Sequence, residues 1–286
     1  MKLCISSYSL SRWRRETGAT LEDTIDAVAD LGVSAIEFSG LDDAPKPLRR
    51  AEALRRYAER KKIEIASYSV GAELLRPAAE QAKAVAALRR DVDVAAALGV
   101  RRMRHDITRG FGEWSKGVRS PKTFAGAMAV IVPAVREVAD YAKTVGVRTS
   151  LENHGFYMQE SKRVEALLRK VDHPNFGLTM DMGNFLCVNE NPVSAVRRLA
   201  KYAQMVHVKD FHVRPKKSLP LPGWFATPTP IALRGAIVGH GVIDISKQIG
   251  LLKKAGYRGF LSLEFEGLEE PLKAVRMGVD YLRPLI

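Results

Sequence analysis

The sequence predicts a single-domain α/β protein, a closed parallel (β/α)8 TIM barrel spanning residues 1–286. Three observations carry this. Eight short apolar runs, each rich in β-branched or aromatic residues, recur at 3–6, 35–38, 64–68, 102–105, 149–152, 177–181, 205–208 and 259–264. Each is too short for a helix. Amphipathic stretches with helical periodicity separate them. The first run leads into Ser6-Ser7-Tyr8-Ser9, without the glycine-rich turn expected of an open doubly wound sheet. Strict strand–helix alternation repeated eight times is the count that closes a barrel.

The elements follow in order. In the first amphipathic stretch Leu21, Ile25, Val28 and Leu31 share one face, Thr20 with Asp23 forms an N-cap signature, and Gly32 ends the helix. Comparable helices are expected over 47–62, 77–98, 122–145, 161–171, 192–203, 245–255 and 270–282. Gly99, Gly146 and Gly256 fall just past three helix ends, where a left-handed residue is favoured. Pro133 is expected to kink the fourth helix, over 122–145. Between 211 and 242 stand Pro215, Pro220, Pro222, Pro228 and Pro230, together with Trp224 and Phe225. So many prolines argue for a long irregular loop, and a long loop after the seventh strand reads as a lid over the active face.

Composition bounds the function. At 286 residues with 46% hydrophobic content, the chain can bury a full core, which excludes a disordered chain. Two cysteines, Cys4 and Cys187, cannot build a disulfide scaffold, and no uncharged apolar stretch reaches membrane-spanning length. The N-terminus turns polar before a signal-peptide core could form, so a cytoplasmic protein is expected. The net charge of +13 suits nucleic acid or an anionic substrate. The basic residues are scattered over many helices, however, which favours an ordinary solvated surface.

Catalytic groups of such a barrel sit at the C-terminal ends of its strands. Strands five to eight end in Leu151-Glu152-Asn153-His154, Met180-Asp181-Met182-Gly183-Asn184, His207-Val208-Lys209-Asp210 and Leu263-Glu264-Phe265-Glu266. Burying Glu152, Asp181 and Glu264 together costs several kcal/mol per ion unless a cation compensates. With His207 they form a three-oxygen, one-nitrogen ligand set that suits a divalent metal, Mn²⁺ first, then Mg²⁺, Co²⁺ or Zn²⁺. Glu266 could compete with Glu264, but Glu264 better fits the strand end. His173 precedes Pro174 on the opposite side of the barrel and receives no role, and His212 and His240 lie in or beside the long loop.

These motifs, with Val238-Gly239-His240-Gly241-Val242-Ile243-Asp244 and Ile36-Glu37-Phe38, resemble the xylose isomerase-like TIM-barrel superfamily, and within it the sugar phosphate isomerase/epimerase group. The resemblance covers essentially the full chain. It implies a metal held by Glu152, Asp181, His207 and Glu264, with Glu152 and Glu264 also exchanging protons with the substrate. The expected activity is sugar isomerisation or epimerisation through an enediolate, by proton transfer beside a keto-sugar carbonyl. His105, Asn153, His154, Lys209 and Arg214 are expected to contact the substrate. A lyase or dehydratase acting on a keto-sugar or keto-cyclitol shares the first step and is the alternative. The family often forms dimers or tetramers. Two departures stand out: Asn184 occupies a position where the family often has histidine, and His105-Asp106 after strand four could be an additional acid–base pair suited to elimination. An endonuclease IV-like DNA repair enzyme would need more strand-end histidines than the chain offers.

Overall fold

The computed structural model describes residues 1–41, 45–110 and 123–286. Eight parallel strands close into a barrel: β1 (Lys2–Ser6), β2 (Ala35–Ser39), β3 (Glu64–Val70), β4 (Arg102–His105), β5 (Arg148–Glu152), β6 (Phe176–Asp181), β7 (Ala203–Val208) and β11 (Phe260–Leu263). Each strand pairs with its sequence neighbour, and β1 closes the ring on β11 with Leu3 opposite Leu261. The predicted TIM barrel is the observed one.

The barrel helices follow the predicted stretches: α2 (Leu21–Asp30), α3 (Pro47–Lys61), α4 (Ala78–Ala97), α5 (Phe124–Thr144), α6 (Ser161–Val171), α7 (Pro192–Leu199), α8 (Ile245–Lys254) and α9 (Pro271–Leu282). Residue 122, the expected start of α5, lies outside the described residues. Thr20 and Asp23 form a full capping box at α2. The helix α5 runs through Pro133. A short helix, α1 (Ser11–Thr17), follows β1 and was not expected. It buries none of its residues, so it carries no apolar stripe to read from sequence.

The 211–242 segment differs from the expectation of an irregular loop. It contains a three-stranded antiparallel sheet in the order β8 (Asp210–Pro215), β10 (Ile231–Ala236), β9 (Phe225–Ala226). The prolines permit this because they sit at strand ends or between strands. The runs 210–214 and 231–236 contain none, and Ala232 pairs with Arg214 and Gly235 with Phe211 in regular register.

Alternation along the strands divides the barrel interior into two zones. At the bottom, Cys4, Ala35, Ala66, Met205 and Phe260 form a small apolar cluster. Further along the same strands stand Glu37, Ser67, Ser69, His207, Ser262 and Glu264, all buried, with the β3 register shifting between Ile65 and Ser67. The larger apolar core lies between strands and helices. Among the described residues, no helix is long and apolar enough to cross a membrane.

Candidate metal centre and active site

The C-terminal strand ends bring Glu152 (β5), Asp181 (β6), His207 (β7) and Glu264 (just past β11) together. One ligand atom from each lies within 4.8 Å of the others, and all four side chains are buried. Sheet register does this: Asp181 pairs with His207, and His207 with Ser262, two residues before Glu264.

Each of the four side chains is held by its neighbours. Asp181 Oδ1 accepts hydrogen bonds from the backbone N–H of Gly183 at 2.7 Å and of Asn184 at 2.8 Å. Its Oδ2 is buried without a hydrogen-bond partner among the described residues. A buried carboxylate oxygen left over in this way fits a cation ligand, as does the donor set of three carboxylates and an imidazole. Gly183 is required by the close approach of β7: a Cβ there would lie 2.8 Å from the Lys209 carbonyl oxygen. His207 turns Nδ1 toward Glu152 Oε1, 3.4 Å away, and Glu264 Oε1, 3.5 Å away. Its Nε2 lies 2.8 Å from Glu37 Oε2. Glu37 in turn accepts from Ser69 Oγ at 2.7 Å and Ser262 Oγ at 2.8 Å.

Two buried cations balance the carboxylates. Arg104 forms ion pairs with Glu152 and, at 2.9 Å, with Asp106, and donates to the Val70 carbonyl at 3.0 Å. Lys209 Nζ lies 3.0 Å from Glu264 and 3.6 Å from both Asp181 and Glu266. Burial pushes Asp181 up to about 6 against the pull of Lys209, with the Glu152 and Glu264 charges adding to the rise. Burial would raise Glu152 too, but Arg104 and His207 outweigh it and hold that carboxyl well below its usual range. His207 and Lys209 resist desolvation in the opposite sense. Glu37, Glu264 and Glu152 hold the imidazole well above its ordinary pKa, and Glu266 and Glu264 do the same for the ammonium.

Above this cluster is a cavity of about 310 Å³ lined by Arg104, Glu152, His154, His207, Lys209 and Glu264, among others. It adjoins an outer cavity of about 470 Å³ that includes Asn184, Phe211, Phe225 and Gly235. Tyr8, Arg109, His154, Lys209 and Glu266 line both. The β8–β10–β9 sheet therefore forms part of the outer wall.

The five expected substrate contacts separate here. His154 and Lys209 face both cavities, and His154 Nδ1 lies 2.9 Å from Asp106 Oδ1. His105, Asn153 and Arg214 line neither. His105 and Asn153 are displaced by strand alternation: Arg104 and Asp106, like Glu152 and His154, take the inward positions, so the residues between them point away. His105 Nδ1 sits 2.8 Å from the Asp106 carbonyl, and burial pushes its pKa down to about 4. Asn153 uses both ends of its amide on the Asp181 backbone, donating to its carbonyl at 2.9 Å and accepting from its N–H at 2.8 Å. Arg214, exposed on β8, stacks over Trp224.

The same alternation identifies residues that the motif reading left without a role. Glu37 and Arg104 each stand two residues from another inward polar side chain, as does Asp106, which the motif reading offered only as an acid–base pair with His105. Asn184, the departure from the family pattern, donates to Glu152 Oε1 at 3.1 Å.

A parallel eight-stranded barrel with a buried carboxylate–imidazole quartet at its strand ends is the plan of a metal-dependent TIM-barrel enzyme. The chain belongs to the xylose isomerase-like TIM barrel family, whose sequence model matches residues 25–285. The inosose dehydratase of Mesomycoplasma hyopneumoniae (strain 7448) is 26% identical over 163 residues, 54% of each protein. The chain thus spans about half the length of the curated relatives it matches. Among solved structures, the IOLI protein with a bound zinc atom superposes with a TM-score of 0.76 at 17% identity, covering 100% of this chain and 99% of that one. D-psicose 3-epimerase with D-tagatose from Clostridium cellulolyticum H10 superposes with a TM-score of 0.74 at 19% identity, covering 100% and 99%. At these identities the structural likeness is one of fold.

Proposed function

We propose that the protein is a divalent-metal-dependent lyase that removes water from a keto-cyclitol or related keto-sugar. The observation that carries this reading is the pairing of Glu264 with Lys209, a carboxylate and an ammonium 3.0 Å apart on the wall of one cavity. Dehydration beside a carbonyl needs a base for the carbon-bound proton and an acid for the departing hydroxyl. The dehydratase relative supports the same class.

Glu152, Asp181, His207 and Glu264 would hold the metal. When bound, it polarises the substrate carbonyl and the neighbouring hydroxyl, which acidifies the hydrogen between them. Mn²⁺ suits the ligand set, and the zinc bound by the IOLI protein supports Zn²⁺ as a second candidate.

The chain's own groups do the rest. Glu264 accepts the proton α to the carbonyl. The C–H electron pair is held as an enediolate, which re-forms the carbonyl and makes the new C=C bond as the β-hydroxyl leaves with its bonding pair. Lys209 supplies the proton that turns that hydroxyl into water. Arg104 keeps Glu152 ionised, and Asp106 orients His154 on the opposite wall, where it hydrogen-bonds substrate hydroxyls. The β8–β10–β9 sheet covers the outer cavity and limits water access.

A second reading, epimerisation or isomerisation, is favoured by Glu152 and Glu264 facing the same cavity from different strands. One would remove the proton and the other return one to the opposite face or to the next carbon. Turnover of a panel of inososes and ketohexoses in heavy water separates the two. The lyase reading expects an unsaturated product that absorbs in the ultraviolet. A deuterated isomer or epimer with no unsaturated product would overturn it.

A further inference from the structure

The opposite, N-terminal mouth of the barrel opens into a separate cavity, of about 580 Å³. Among the described residues, its lining includes Arg101, Arg102, Arg148, Lys201 and Arg258 and not one acidic residue. These residues come from separate elements: the entries to β4, β5 and β11 and the turn before β7. Arg102 and Arg148 are direct partners on adjacent strands. Their positions continue the inward alternation of Arg104 and Ser150 one layer lower, and Arg102 stands over the Phe260 ring at 5.8 Å.

Like charges opposite one another on neighbouring strands are destabilising. Among the described residues, no carboxylate lies within 4 Å of the Arg101, Arg102, Arg148 or Arg258 guanidinium to relieve them; only Lys201 has such a partner, Glu165 at 3.7 Å. With its amide oriented to satisfy its neighbours, Gln204 accepts from Arg148 Nε at 2.8 Å and fixes that guanidinium at the cavity wall. Burial and the Arg102 charge hold Arg148 below its ordinary pKa, which reports the same crowding.

We infer that this cavity binds a small anion carrying two or more phosphate groups. Several guanidinium forks converging on one concave space match phosphate oxygens bidentately, and the volume is that of a small-molecule site. A single phosphate would leave most of these forks unused. A concave mouth ringed by strand entries admits a compact ligand better than a duplex, which needs an extended basic face. The site is at the far end of the barrel from the carboxylate quartet and does not depend on the reaction performed there.

Calorimetric titration of the metal-loaded protein with inorganic tripolyphosphate, at 150 mM salt, tests this. Tripolyphosphate is expected to bind at least about tenfold more tightly than orthophosphate or sulfate. Arg102→Gln and Arg258→Gln are each expected to weaken it by about tenfold, one charge-assisted contact apiece. Without ligand, Arg102→Gln should melt no lower than the wild type, because it removes a like-charged neighbour, so loss of binding cannot be ascribed to misfolding. Chelation of the metal by tripolyphosphate affects wild type and variants alike. Equal affinity in wild type and both variants would overturn the inference. So would affinity no better than that for sulfate, or tight, salt-sensitive binding of a DNA duplex without binding of tripolyphosphate.

Discussion

Glu37 Oε2 stands 2.8 Å from His207 Nε2, on the side of the imidazole away from Glu152 and Glu264. A buried carboxylate behind a ligand imidazole fixes the ring's orientation and raises its basicity. Glu37 is itself held by Ser69 and Ser262, so the geometry is locked from three strands. Glu37→Gln should lower divalent-metal affinity by about 10–100-fold while leaving the far-ultraviolet circular dichroism unchanged. Metal titration with a competing chelator measures it. Wild-type affinity would show that Nδ1 needs no such support.

Arg104 is the principal counter-charge of Glu152 and also pairs with Asp106. Removing it leaves a buried carboxylate uncompensated. Arg104→Gln should destabilise the metal-free protein by about 3 kcal/mol in urea unfolding. Added metal should recover part of the loss, because a cation offsets the same charge.

Lys209 and Glu264 have separable roles if elimination is the reaction. Glu264→Gln should abolish both exchange of the α-hydrogen with heavy water and formation of product. Lys209→Met should retain exchange while product formation falls by about 100-fold, the scale of a single general acid. Nuclear magnetic resonance of the recovered substrate, with metal content verified, reads both. Equal loss of exchange and product in Lys209→Met would assign the lysine to binding.

Phe225 of β9 lines the outer cavity. If the small sheet shields bound substrate, Phe225→Ala should raise KM by about tenfold with a smaller change in kcat, in line with loss of one apolar contact surface. Steady-state kinetics measures the split. An unchanged KM would limit the sheet to a structural role.

His105 offers a pH test. Its folded pKa is pushed down to about 4 by burial, against an ordinary 6.5. Between those values the unfolded chain binds more protons, so stability rises with pH. The contribution is fully present above about 6.5 and is lost as pH falls toward 4. His105→Gln cannot take up that proton. The stability difference between wild type and variant should therefore shift against the wild type by about 1–3 kcal/mol across this window, and stay constant from pH 7 to 8. Denaturant unfolding at a series of pH values measures it.

The sequence by itself determined the barrel and which four side chains, Glu152, Asp181, His207 and Glu264, meet at its mouth. Strand and helix periods are local properties, and a carboxylate or imidazole at four consecutive strand ends converges once those strands lie parallel in order. Which face each neighbouring residue presents was decided only in the folded sheet. His105 beside Arg104, and Asn153 beside Glu152, are adjacent in the chain yet on opposite sides of their strands, so nearness to a motif misassigned them. Glu37 and Ser262 are 225 residues apart and meet only because closure brings β2 and β11 across one interior. The strands among the prolines of 211–242 likewise depend on pairing at a distance: proline marks where a strand must stop, while the partner that makes the intervening runs extend is supplied by the tertiary structure.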